Sequence, residues 1–157
     1  MISLKKRNQG FTIVELLIVI VVIGILALLV ITTYSGIQAK ARNSKRTSDV
    51  KSLQTHLEAF FQDNGYYPSN GDLNSSSWLT TNMKGLDQNA LSDPSSGGSK
   101  TIASAPAAKV YAYQPLNSSG TSCESDDTTC SKYTLTATYE GTVNGATTDV
   151  VKNLDGS

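Results

Sequence analysis

Gly10-Phe11-Thr12-Ile13-Val14-Glu15-Leu16-Leu17-Ile18-Val19-Ile20 opens an apolar run that continues from Phe11 to Ile31, 21 residues in all, and the reading of that run decides the fold. About 20 helical residues cross a hydrocarbon core of about 30 Å, so the run reads as a membrane span. Its one charge is out of place. An acid in such a segment costs about 2.5 to 3.5 kcal/mol on insertion scales, so Glu15 calls for a partner or a task. On the N-terminal side the run is preceded by a short basic leader, Lys5-Lys6-Arg7-Asn8-Gln9.

Past Thr32-Thr33 the pattern turns amphipathic. Tyr34, Ile37, Ala41, Leu53, Leu57, Phe60 and Phe61 recur at helical spacing, and the first proline is Pro68. One helix is therefore expected from Phe11 to Asn64, ended by Asn64-Gly65 and Tyr67-Pro68. Its second half needs a surface to lie on. Beyond Gly65 the chain is rich in Ser, Thr, Gly and Asn, and a segment of that size buries only a modest core, so Leu53, Leu57, Phe60 and Phe61 are expected to supply one wall of it. Val110-Tyr111-Ala112-Tyr113 and Tyr133 to Tyr139 alternate with period two, and Tyr133, Leu135, Ala137 and Tyr139 should face the helix. A third strand over 147–152 follows an Asn144-Gly145 hairpin turn. Between helix and sheet, Ser77-Trp78-Leu79 and 86–91 read as short helices, with Trp78 as a packing anchor.

The ordered set of basic leader, Gly10, Phe11, an acid at Glu15 and an uninterrupted apolar helix resembles the class III signal of type IV pilins and type II secretion pseudopilins. The order Asp93-Pro94, Tyr111-Ala112-Tyr113, Tyr133-Thr134-Leu135 is similar, more loosely, to the heads of small bacterial pilins and major pseudopilins. The resemblance implies an α+β pilin fold, in which a long N-terminal α-helix packs its amphipathic half on a small antiparallel sheet. It implies that a prepilin peptidase cuts between Gly10 and Phe11 and methylates the new amine. On this reading residues 1–10 are a leader, 11–31 the membrane and filament-core half of the helix, 32–64 its amphipathic half, 65–109 a variable loop region and 110–157 the sheet with a cysteine-closed loop. An ordinary secretory signal is the poorer reading, since its small-residue cleavage site follows the apolar region. An uncleaved single-pass anchor leaves Glu15 unexplained.

With Phe11 as the mature N-terminus, Glu15 lies about one helical turn away and can meet the α-amine of a neighbouring subunit shifted by that distance. Such a pair sets register more than it stabilises, because desolvation offsets much of the attraction. Gly24 is the small residue expected at close helix contacts, and Gly24 and Ser35-Gly36 are the weak points of the helix, since Thr32 stands where many pilins carry proline. Expected partners are copies of the same chain in a helical filament, related minor pilins, the prepilin peptidase, an inner-membrane assembly platform and membrane lipid. Lys40, Arg42, Lys45, Arg46 and Lys51 read as a solvated basic face touching lipid headgroups. Nucleic acid is the alternative partner there, without interleaved aromatics to stack bases.

Charges flank the span on both sides and leave its orientation open, whereas Cys123 and Cys130, the only cysteines, suit one short bridge in an oxidising compartment. The C-terminal region is therefore expected outside the cytoplasm, first on a single-pass cytoplasmic membrane protein and then on a cell-surface filament. Glu124, Asp126 and Asp127 offer oxygen ligands for calcium, as in some pseudopilin heads, without the spacing of an EF-hand loop. No other cofactor is expected, and Asn74-Ser75-Ser76 and Asn117-Ser118-Ser119 match glycosylation acceptors. No nucleophile-histidine-acid set, phosphate loop or metal cluster is legible, and the lone His56 reads as solvated, so an enzyme is not expected. Three functions share the architecture: a pilin for adhesion, twitching or DNA uptake, a type II secretion pseudopilin, and a membrane-anchored binding module or tip adhesin.

Overall fold

The computed structural model describes residues 10–123 and 127–152. The chain divides into two compact units, Met1–Gln38 and Ala39–Ser157. The longest element is α1, Ile13–Asn64, and its backbone stays helical across Gly24 and Ser35-Gly36. It stops where expected, at Gly65, whose φ of 80° is a left-handed cap and whose N–H donates to the Phe61 carbonyl at 2.7 Å.

In the first unit every apolar side chain of the run from Ile13 to Ile31 that is described as large is exposed around the whole helix, from Ile13 at 84% to Val22 at 48%. A helix apolar on all faces and left uncovered by the other described residues is built for a non-aqueous or protein surrounding. Among the described residues, α1 is the one helix long and apolar enough to cross a membrane.

In the second unit α1 lies on a three-stranded antiparallel sheet of order β1-β2-β3, with β1 Ala112–Asn117, β2 Cys130–Val143 and β3 Ala146–Lys152. Tyr113 pairs with Leu135 and Leu135 with Val151, so these three project from one face together with Tyr133 and Ala137. Against that face sit Val50, Leu53, Leu57 and Phe60 of α1. At about 1.5 to 3 kcal/mol for each large apolar side chain buried, this seam is the main source of the unit's stability. Tyr139 completes the expected helix-facing row by bonding Thr47 of α1, Oη to Oγ1 2.9 Å.

The first strand differs from the expectation: it begins at Ala112 and runs through Pro115. A proline is tolerated because β1 is an edge strand, and the Pro115 carbonyl still accepts from the Cys123 N–H at 3.0 Å. The Asn144-Gly145 turn has φ of 50° and 84°, a two-residue connection of type I′ hand between β2 and β3. Two short helices, α2 Asn70–Leu73 and α3 Ser76–Asn82, and a 3₁₀ turn Gln88–Leu91 close the core from the side with Leu73, Leu79 and Leu91. Trp78 packs on Phe60, ring centroids 5.2 Å apart.

The apolar spacing marks the core-facing residues of α1 from Leu53 to Phe61, but not those before Leu53. Tyr34 and Ile37 are exposed and so is Ala41, and the buried face of the second unit starts instead with Asn43, Arg46 and Asp49. The expected basic face is likewise taken apart. Arg46 is buried against Asp93, Nε to Oδ2 2.7 Å and Nη2 to Oδ1 3.0 Å, and its Nη2 also reaches Glu140 Oε1 at 2.9 Å. Arg42 pairs with Glu140, and Lys45 with Asp49. A long cation whose carboxylate partners arrive from segments distant in sequence, a loop and strand β2, is folded inward, whereas Lys40 and Lys51 stay exposed. His56 is half-buried, its Nδ1 2.9 Å from the Ser52 carbonyl oxygen. The Asn74 side-chain amide donates to the Ile102 carbonyl at 2.9 Å and its Oδ1 accepts the Ile102 N–H at 2.8 Å, so it serves as a structural clamp.

Candidate functional site

The chemistry of the chain concentrates where α1 begins. Gly10, Phe11 and Thr12 precede the helix, and Phe11 is 89% exposed. Thr12 is the N-cap and Glu15 the third helical residue. The Thr12 N–H and hydroxyl both donate to Glu15 Oε2, at 2.8 and 2.7 Å, while the Glu15 N–H donates to Thr12 Oγ1 at 3.2 Å. This is a reciprocal capping box, and the positive end of the helix dipole favours an acid at that place. Glu15 thus has a partner inside its own chain, Thr12, which the sequence reading did not pick out although Thr-x-x-Glu before an apolar run is the sign of such a cap.

Gly24 lies well along the apolar half. A Cβ built there meets nothing within 4 Å, so nothing in this chain requires glycine at that position. The free surface around it is available to another helix. A shallow apolar groove lined by Leu26, Leu29, Val30, Thr33, Tyr34 and Ile37 continues the same surface.

In the second unit Cys123 and Cys130 are bonded to each other, with Cα atoms 6.0 Å apart, and no described cysteine is free. Glu124 and Asp126 lie outside the described residues. Asp127 Oδ1 accepts the Thr129 N–H at 2.8 Å and its hydroxyl at 2.6 Å, bonds that hold its carboxyl below the usual range. The ligand atoms of Cys123, Asp127 and Cys130 fall within 4.8 Å of one another, but the two sulfurs are joined and only the carboxylate is left to coordinate.

Two further clusters carry polar groups in the interior. Glu58 accepts from Tyr67 Oη at 2.8 Å and from Tyr133 Oη at 2.9 Å, and burial with the adjacent carboxylate pushes the Tyr133 phenol well above its ordinary value. Tyr111 donates to Asp49 at 2.9 Å and is raised in the same way, by burial first and Asp49 second. The Glu140 carboxyl is brought down to about 2, chiefly by the Arg42 guanidinium, with Arg46 and Ser95 adding to it. These phenols are partnered inside the core, whereas Glu140 is partly exposed and lines a surface cavity with Arg42, Arg46 and Ser95.

Residues 5–31 match the family model described as the prokaryotic N-terminal methylation motif. Over 66 residues the chain is 38% identical to type II secretion system core protein G of Dickeya chrysanthemi, covering 42% of this chain and 43% of that protein. It is 42% identical over 65 residues to the core protein G of Aeromonas hydrophila, 41% of this chain and 46% of that one. It is also 39% identical over 63 residues to type IV major pilin protein PilA of Myxococcus xanthus, 40% of this chain and 29% of that one. The matched part spans less than half the length of these curated relatives. No solved structure matches the chain. With a methylation motif at 5–31 and a capped apolar helix behind it, the N-terminal two-fifths of this chain is similar to that of type II secretion core protein G and of a type IV pilin.

Proposed function

We propose that the chain is a structural subunit of a type II secretion pseudopilus, cut after Gly10 and assembled through the exposed apolar half of α1. The observation that carries this reading is the exposed apolar run from Ile13 to Ile31 with one acid at its start, within a methylation motif. Leaving lipid for a bundle of like helices gains little from the hydrophobic effect, so side-chain packing and the Glu15 carboxylate must supply the specificity. In the precursor Thr12 holds that carboxylate. In the filament a methylated Phe11 amine of a neighbour takes the second lone pairs of Glu15, with Gly24 letting the helices approach.

The pseudopilin reading is preferred to the pilin reading because core protein G recurs among the relatives in several genera. The pilin reading keeps one support, the relative from Myxococcus, and the matched segment is the helix that both kinds of subunit share. On either reading the protein acts by assembly. The subunit waits in the cytoplasmic membrane with its cysteine-bearing unit outside, and the peptidase and an assembly platform are its partners before the filament.

N-terminal sequencing of the mature protein, combined with deletion of its gene, tests this. A product starting at Phe11 and a deletion that stops secretion while surface fibres persist is the expected result. Loss of surface fibres with secretion intact selects the pilin reading, and a product that still carries residues 1–10 overturns both.

A further inference from the structure

A cavity of about 210 Å³ opens between the start of the α2–α3 segment and the C-terminal side of the disulfide-closed loop, lined by Tyr66, Ser69, Asp72, Trp78, Asp127 and Thr128. Assembly through α1 makes no use of it. It is smaller than drug-sized sites, which run from about 300 to 1,000 Å³, and has the size for one small cation.

The walls are of two kinds. Tyr66 and Trp78 both lean on Phe60, the first edge-on with centroids 5.6 Å apart and the second at 5.2 Å, so the two rings are held by the core and not by the ligand. Asp72 and Asp127 supply the charge. Asp72 uses Oδ2 for the Ser69 N–H and hydroxyl, at 2.9 and 2.8 Å, and Asp127 uses Oδ1 for Thr129, which leaves one oxygen of each carboxylate without a hydrogen bond among the described residues. Neither acid forms an ion pair among the described residues, and no cationic side chain lines the cavity.

Two ionised carboxylates beside two fixed aromatic rings select a cation with an organic surface. A hard metal ion loses water on entering and regains oxygen ligands from only part of such a wall. An alkylammonium instead buries its methyl or methylene groups on the rings, gains cation–π attraction there and is neutralised by the acids. We propose that this cavity binds an alkylammonium group, with Tyr66 and Trp78 as its walls and Asp72 and Asp127 as its counter-charges.

Trp78 is the single tryptophan of the chain, so its emission reports on the cavity directly. The full-length protein in non-ionic detergent is titrated with tetramethylammonium chloride and, separately, with n-butylammonium chloride, against sodium chloride of equal ionic strength. Saturable change with a half-point in about the millimolar range is expected for one or both cations. The tighter of the two identifies the source as a quaternary headgroup or a lysine-like amine. Asp127→Asn, which keeps an oxygen for Thr129, should weaken binding about tenfold, and Tyr66→Leu should do the same without removing a charge. Circular dichroism confirms that both variants are folded. A response equalled by sodium chloride, one unchanged in both variants, or one produced by calcium chloride but by neither ammonium overturns the proposal. Asp127→Asn should leave processing at Gly10 and secretion untouched, which separates a failure here from a failure of the filament reading.

Discussion

Arg46 of the helix and Asp93 of the loop before the sheet meet in a two-point guanidinium–carboxylate pair with both side chains 1% exposed. Residues 47 positions apart in the chain are locked together there, and Asn43 Oδ1 and Ser95 Oγ accept further guanidinium hydrogen bonds at 2.8 and 3.0 Å. A fork of five donors facing this set of oxygens cannot be replaced by the point charge of a lysine.

Removing one member of that pair leaves its partner buried and uncompensated. Asp93→Leu or Arg46→Met should therefore lower the unfolding free energy by about 3 to 5 kcal/mol, whereas the double replacement Asp93→Leu with Arg46→Met should recover most of the loss. Urea denaturation of the four proteins, followed by tyrosine fluorescence, gives the cycle.

Glu140 adds a pH dependence of known sign. Its carboxyl is near its ordinary value in the unfolded chain and is lowered to about 2 in the folded one, mainly by Arg42. Its contribution is present above the unfolded value and is lost as pH falls toward 2, because the unfolded state then binds the proton that the folded state refuses. Melting temperature should fall through that window in the native protein and fall less steeply in Glu140→Gln, measured by circular dichroism between neutral pH and about pH 2.

The Thr12–Glu15 cap makes a separable prediction. Glu15→Leu should remain in the membrane and yield almost no filament. Thr12→Val removes the hydroxyl but leaves the charge, at a cost of about 0.5 to 2 kcal/mol to the helix start, and Thr12→Ser should restore it. Sheared-filament yield and membrane fractionation distinguish the two roles: normal filament from Glu15→Leu would show that the acid is not an assembly contact.

At the hairpin, Gly145 carries φ of 84°. Gly145→Ala forces a Cβ into the left-handed region and should cost about 1 to 2 kcal/mol, while Asn144→Gly should be nearly neutral. A shift of the thermal midpoint in the first variant and none in the second is the expected pair of results.

Breaking the Cys123–Cys130 bridge releases a loop of seven positions' separation. Its reduction, or Cys123→Ser with Cys130→Ser, should lower stability by about 2 to 3 kcal/mol by the loop-closure argument. Denaturation with and without a reductant measures it.

Much of this molecule was legible in its residues for local reasons. A long apolar run, a proline-free helix ended by Asn64-Gly65, period-two alternation over Tyr133 to Tyr139 and an Asn-Gly pair at the hairpin each express a preference of the backbone or of the solvent that acts over a few positions. The Thr12–Glu15 cap was legible for the same reason and was passed over, because the acid was read for its distant partner and not for the near one. Arg46 was misplaced for the opposite reason. Its neighbours in sequence are bases and polar residues, and nothing local says that Asp93 and Glu140 will arrive beside it.

The apolar rod, its lone acid and the strand pattern were specified along the chain itself, since helix, span and pleat depend on which residues follow one another. Which face of the helix is buried, which cations are neutralised and which carboxylates remain open beside Tyr66 and Trp78 depended on folding. Burial of a charge is settled by the oxygens that reach it from remote segments, and those meet only when the sheet closes on the helix.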